Sequence, residues 1–251
     1  KWLFPNAAER EYLGSSSDYL KTYENLVIEQ LFPRLNLLKQ EASAFDRADQ
    51  DWASQVEAIL SSLVIQFDKK KLPEEIMAMK AFENTSGFNK RQFLEVIKSA
   101  IAVDIFISEP WLQPVSNSFI SQNVALIKSV PERLHLEVEG VVQRGLLQGQ
   151  RVETIQAEIR SRFKVAENRA ELIARDQIGK INGQLTQLRQ KEVGLDRYVW
   201  RTSLDEAVRP AHAAREGKIF YWNNPPEGGH VGEDFQCRCF PEIVASDLFE
   251  E

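Results

Sequence analysis

A chain of 251 residues is long enough for one large domain or two smaller ones around a sizeable buried core. Its composition is 43% hydrophobic and 27% charged, no apolar run approaches the roughly 18 residues that span a bilayer, and the net charge of −6 excludes a chain that is basic throughout. The two cysteines form one C-x-C pair, too close in sequence for an unstrained bridge, so a disulfide framework is excluded as well. The segment opening at Lys1 shows no basic-then-apolar leader pattern, and a cytosolic origin is the expectation.

Apolar residues at three- and four-residue steps (Leu20, Tyr23, Leu26, Val27, Leu31, Leu35, Leu38) predict a helix over 18–45, with Ser17 or Asp18 as N-cap and a break at Pro33. A second helix is expected from Asp51 to Phe67, closed by Lys69, Lys70 and Lys71 at the negative end of its dipole. Pro73 then opens a short segment to 82, 84–87 reads as a turn, and 89–107 as an apolar helix whose Ile/Val-rich end leaves a strand open over 101–107. Pro110, Pro114 and the Ser/Asn-rich stretch to Ser121 make the best linker in the chain.

Beyond Ser121 the pattern is nearly continuous helix: 122–130, then 132–148 behind Pro131, a break at Gly149, then 151–163 and 167–192, with Gly194 as a fitting helix stop. After Gly194 the period shifts toward two. Strands are expected at 198–200, 218–222 and 237–244, with a short helix at 208–215 and a Pro/Gly loop at 223–234. The fold class is therefore a predominantly helical α+β protein. A helical N-terminal region over 1–120 precedes a helical body over 121–251, which ends in a small α+β module of short strands.

Charge is uneven along the chain. Residues 151–201 carry 11 basic and 7 acidic side chains, whereas 202–251 carry 4 and 10. The basic stretch nominates Arg160, Arg162, Lys164, Arg169, Arg175, Lys180 and Arg189 as a band facing nucleic acid or an acidic partner; a solvated helix face is the competing reading.

The chemistry is concentrated at the C-terminal end. Asp205, Glu206, Arg209, His212, His230, Cys237 and Cys239 crowd a segment that also carries Trp200, Phe220, Tyr221, Trp222 and Phe235. Thiolate and imidazole are preferred zinc ligands. If Cys237 and Cys239 lie on a strand they point to one face, with His212 as a third ligand and Asp205 or His230 as a fourth. Alternatively both thiols pack as small hydrophobes and His212 bonds to Asp205. A third reading makes a cysteine the nucleophile, His212 its base and Asp205 the group that orients the ring, with Arg209 and Arg238 binding a phosphate. No P-loop, G-x-S-x-G, H-E-x-x-H or paired-carboxylate pattern accompanies that set, and pairing with nearby acids explains Arg209 and Arg238 as structural ion pairs.

The string from Trp200 to Cys239 resembles the C-terminal signature of the phage Mu F-like minor head proteins, or phage head morphogenesis proteins. That pattern reads roughly W-x-T-S-x-D-E-x-V-R-x-x-H, a Gly before an aromatic strand, then P-G-E-D-x-x-C-R-C. Asp205, Arg209, His212, Gly217, Gly232, Cys237, Arg238 and Cys239 fall where it places them. The similarity extends over about 125–245, where Arg169, Ala170, Ile173, Ala174 and Arg175 match an R-A-x-x-I-A-R-T-E helix; Asp176-Gln177 stands where the family has Thr-Glu.

The resemblance implies a minor structural component of a tailed-phage head, acting in capsid assembly at the portal vertex and in genome packaging or ejection. Its implied partners are the portal protein, the major capsid protein and packaged double-stranded DNA, with no membrane. Its implied location is the capsid interior or portal vertex, after the host cytoplasm during assembly. Residues 1–120 would be the part that contacts portal or capsid. A DNA-binding virion protein is the alternative, and a virion-carried nuclease or toxin a third; the expectation is that the protein is not an enzyme.

Overall fold

The computed structural model describes residues 2–44 and 51–248. Helix α1 (Asn6–Leu26) continues through a π turn (Val27–Leu31) and a 3-10 turn (Phe32–Arg34) into α2 (Leu35–Ala44). Then come α3 (Asp51–Lys70), α4 (Glu74–Ile101), α5 (Leu112–Leu147) and α6 (Val152–Glu192). Strand β1 (Arg197–Arg201), a one-turn helix α7 (Pro210–Ala213), β2 (Ile219–Tyr221) and β3 (Phe240–Ile243) complete the order, before a 3-10 turn at Ala245–Leu248. A helical protein with a small antiparallel sheet near its C-terminal end is the fold class read from the sequence.

Several expected breaks are absent. Helix α1 begins at Asn6 rather than at 17–18, and Ser15, Ser16 and Ser17 lie inside it. Pro5 sets up its first turn, accepting the Glu9 N–H through its carbonyl. Burial of Tyr12, Tyr19, Leu20 and Tyr23 along one face outweighs the weak propensity of the serines. Pro33 acts where expected, and the missing N–H spreads the irregularity over a π and a 3-10 turn rather than ending the path. Residue 45, the expected end of that helix, lies outside the described residues.

The expected turn at 84–87 is the middle of α4, where the Thr85 hydroxyl donates back to the Ala81 carbonyl and absorbs its own polarity. No strand forms over 101–107; Ala102 ends α4 in the left-handed region at φ 58°. Ser116–Ser121, read as linker, lies in α5, with Pro114 in its first turn where no intrahelical donor is needed. Pro131 sits inside α5 and does not divide it, and α6 runs unbroken through 163–167. Gly149 at φ 66° and Gly194 at φ 79° end α5 and α6 as expected. Among the described residues no helix is long and apolar enough to cross a membrane.

Packing divides the chain into two compact units. One comprises the described residues of Leu13–Met77 and Val124–Glu171. Its core holds Leu60, Leu63, Val138, Val142, Ile155 and Ile159 and an aromatic cluster, in which the Tyr19 and Tyr23 rings lie 4.9 and 5.3 Å from Phe67 and Phe163 lies 5.9 Å from Tyr23. His135, from α5, accepts or donates at 2.7 Å to the Tyr23 hydroxyl and is a packed residue. Gly145 is a steric requirement: a Cβ there would stand 2.5 Å from Ile155 Cγ1.

The other unit comprises the described residues of Lys1–Tyr12, Ala78–Asn123 and Leu172–Glu251. It contains the sheet, in the order β2-β1-β3 with both pairings antiparallel. Tyr198 faces Phe220 on one side and Ile243 on the other. Alternation sends Tyr198 and Trp200 inward to a cluster with Trp222 and Val231, and a second cluster gathers Trp2, Phe93, Ile97, Ile107, Leu195 and Ile243.

Arg189 is fully buried in this unit, which removes it from any band facing DNA or a partner. Its guanidinium donates to Glu109 Oε1 at 2.8 Å through Nε, to Asn89 Oδ1 at 2.5 Å and to the Ser86 hydroxyl at 3.1 Å. Asn89 in turn donates to Asn182 Oδ1 and the Thr186 hydroxyl, and Lys90 closes on the other carboxylate oxygen of Glu109. A charge enters a core only when its hydrogen-bonding capacity is met this fully. Burial pushes the Glu109 carboxyl up, but the hydrogen bonds from Lys90 and Arg189 outweigh it and hold the carboxyl below the usual carboxylate range.

Arg189→Met should therefore cost about 3–5 kcal/mol in urea unfolding, because it leaves only the half-exposed Lys90 to compensate the buried Glu109, and the added change Glu109→Leu should recover most of that loss. The carboxylate's contribution is complete above its unfolded pKa of about 4.3 and is lost as pH falls through its lower folded value. The double variant should accordingly lose less stability on acidification than the parent protein does.

Candidate metal centre

The polar set of the C-terminal module is held by backbone geometry more than by secondary structure. Gly179 and Gly183, one turn apart on α6, let the loop after β2 come against the helix backbone. A Cβ on Gly183 would stand 2.7 Å from the Val231 carbonyl oxygen, and one on Gly179 would stand 3.0 Å from that of Cys237. Gly232, at φ 86°, packs against both positions from the loop side. Asp176, one turn earlier on α6, accepts the Gln236 N–H at 2.8 Å and so steadies a residue held at φ 55°. Its other oxygen lies 2.7 Å from Lys180 Nζ.

Cys237 and Cys239 follow in irregular chain just ahead of β3, not on the strand expected over 237–244. A second attachment presents His212. The Thr202 N–H and hydroxyl both donate to Glu216 Oε2, at 2.6 and 2.7 Å, tying the two ends of the segment that carries α7. Pro210 occupies the first position of α7, and the His212 N–H donates to the Arg209 carbonyl. His212 is buried with its ring edge-on to Trp200, centroids 5.3 Å apart.

The result is a tight triad. His212 Nδ1 is 3.6 Å from Cys237 Sγ and 3.5 Å from Cys239 Sγ, and the three donor atoms all lie within 4.8 Å of one another. Behind the ring, Asp234 Oδ2 is 3.3 Å from Nε2. Asp205, the expected fourth ligand or ring partner, does neither job. It pairs with Arg238 at 2.7 Å and accepts the Ala207 N–H at 3.0 Å, as a turn-closing aspartate does. Asp234 takes the orienting role instead, because the tight turn after Gly232 places it beside the ring. His230 is turned away, its Nδ1 3.0 Å from the Tyr198 hydroxyl and its ring against Trp222.

The two thiols are unequal. The Cys239 thiol, with backbone N–H groups and the His212 ring, outweighs burial and draws Cys237 down to about 6. Their shared contact pushes Cys239 strongly up.

Both arginines nominated as structural have acidic partners. Arg209 lies 3.3 Å from Asp234 and donates to the Phe235 carbonyl, and Arg238 holds Asp205. With Arg175, itself 3.1 Å from Glu9, they line a polar cleft of about 290 Å³.

The rest of the basic band is likewise matched. Arg162 and Arg144 share Glu158 at 3.1 and 3.2 Å, and Lys164 lies 3.1 Å from Glu167. Arg169 donates to the Ser129 hydroxyl, Lys180 faces Asp176, and Arg160 stacks over the Phe32 ring at 5.2 Å. Sequence reasoning offers Asp234 as an ion-pair partner of the arginines, as it is for Arg209, but not as the group behind His212, and it missed Glu216 and Gly183. The E-D pair ahead of C-R-C was the available signal for Asp234; the other two depend on packing that no local pattern announces.

Residues 136–241 match the family described as phage Mu protein F like protein. The chain is 34% identical over 190 residues to an uncharacterized protein of Haemophilus influenzae, an overlap of 75% of this chain and 39% of that relative, so it spans well under half of the relative's length. No solved structure matches.

Replacing Asp176 with Ala should release the Gln236 amide, raising its hydrogen-exchange rate about tenfold or more and lowering stability by about 1–3 kcal/mol. Asp176→Asn keeps an acceptor for the Gln236 amide and loses the contacts of its other oxygen with half-exposed Lys180 and with Gln177, so the exchange rate should stay near that of the parent.

Proposed function

We propose, for a chain whose residues 136–241 belong to the phage Mu protein F like family, that it is a minor structural component of a tailed-phage head that works by binding, with no chemical step. The family match is the observation that carries this reading. In it the protein joins the head during capsid assembly at the portal vertex, with the portal and major capsid proteins as partners, and it remains in the mature virion.

The state of the candidate catalytic groups supports a binding role. A nucleophilic cysteine is paired with its base one to one, whereas here two sulfurs share a single imidazole nitrogen, and Cys237 is buried. The arginines that would hold a phosphate lie against Asp205 and Asp234. A nuclease or toxin activity finds no support in that arrangement.

Retention or escort of the genome is the second reading. It draws on the excess of basic residues over 151–201, of which Arg160 and Lys164 are the exposed members of the nominated band. Most of that band is ion-paired, so a DNA contact would have to exchange those partners for phosphates. Such binding would fall steeply with salt, as phosphate contacts do.

The test is a comparison of heads made with and without this chain. The protein should co-purify with intact heads, localise to the portal-bearing vertex in reconstructions, and be needed for normal head yield. Its absence from purified heads, with yield unchanged on deletion, would sink the assembly reading. Charge reversal at Arg160 and Lys164 should leave incorporation intact; a loss of packaged DNA without loss of heads would favour the genome-binding reading instead.

A further inference from the structure

We infer that His212, Cys237 and Cys239 bind one divalent cation of the zinc class through Nδ1 and two thiolates, with water as the fourth ligand. The inference rests on the geometry of the triad and stands apart from the reading of the protein as a head component.

Distances come first. With zinc–sulfur and zinc–nitrogen bonds near 2.3 and 2.05 Å, a tetrahedral centre sets sulfur and imidazole nitrogen about 3.6 Å apart. The two sulfur–nitrogen separations here are 3.6 and 3.5 Å. A neutral imidazole has one unprotonated nitrogen with a single in-plane lone pair, so it accepts along one direction only. One thiol can donate along it; the second is left at bonding distance from an acceptor already used. A cation placed between the three atoms satisfies all of them.

The surroundings fit the same occupant. Asp234, 3.3 Å from Nε2, favours the proton on that nitrogen and with it an Nδ1 lone pair toward the sulfurs, as carboxylates behind metal-bound histidines do. The same contact keeps Asp234 on the far side of the ring from the sulfurs, and Asp205 is engaged by Arg238. Among the described residues no further His, Cys, Asp or Glu joins the cluster, so the fourth position falls to solvent. Two sulfurs and one nitrogen select a borderline-soft ion over magnesium or calcium. Each thiol releases its proton to solvent as its sulfur–metal bond forms.

Metal analysis of the full chain, purified reduced and without chelator, should find zinc at near-stoichiometric level. After exchange, cobalt(II) should give intense visible bands of a tetrahedral centre together with sulfur-to-metal charge transfer in the near ultraviolet. Cys237→Ser and Cys239→Ser should each remove about half of that charge transfer. Should either variant fail to fold, Asp234→Asn keeps the test open: it leaves all three ligands and should weaken zinc binding about 10–100-fold in a chelator competition. Reduced parent protein that takes up neither ion overturns the proposal, as does a folded double-serine variant that retains full metal. An unchanged affinity in Asp234→Asn overturns the positioning role of that carboxylate.

Discussion

Two glycines on one face of α6 fix how close the C-terminal loop comes to the helix. With any side chain at Gly183 the carbonyl of Val231 would have to move, and Gly179 meets the carbonyl of Cys237 in the same way. A backbone lying against a helix this closely can be positioned only as well as the helix itself, which is rigid. The loop thus gains the accuracy of a regular element without being one. Asp176 adds a directional anchor one turn away, at the amide of Gln236. The register of everything downstream, from Cys237 into β3, descends from these contacts.

The far end of α6 is organised by two adjacent buried polar residues that face different neighbours. Arg189 gathers Glu109, Asn89 and Ser86. Gln190, also fully buried, donates to the Pro241 carbonyl on β3 and accepts the Trp222 indole N–H beyond β2. One amide side chain therefore reads both outer margins of the sheet while β1 runs between them. Apolar packing would hold these elements together with more freedom to slide. Polar groups that must be satisfied allow few arrangements, since each alternative leaves a buried donor or acceptor without a partner.

Much of this was legible in the sequence where a local rule acts alone. The Asp51–Lys70 helix, the stops at Gly149 and Gly194, and the three strands follow from periodicity and from residues whose φ preference is decisive. The convergence of His212 with the C-x-C pair was legible from residue type and spacing. Local rules failed where tertiary burial overrode them. Ser116–Ser121 and the 84–87 segment look like turns, yet lie in helices whose other faces are packed, with Phe82 and Phe119 in ring contact. Arg189 looks like its neighbours in a basic stretch; that it alone goes inside depends on Glu109, 80 residues away. The choice of Asp234 over Asp205 behind His212 depends on loop geometry that composition does not encode.

The chain contains two cysteines, and both sit in the triad with His212. All of its thiol chemistry is therefore confined to one locus, with Trp200 packed edge-on to the imidazole. A colorimetric count of accessible thiols, before and after unfolding, reports on that locus alone and needs no engineered label. The chain thus carries its own gauge of whether the C-terminal module is closed.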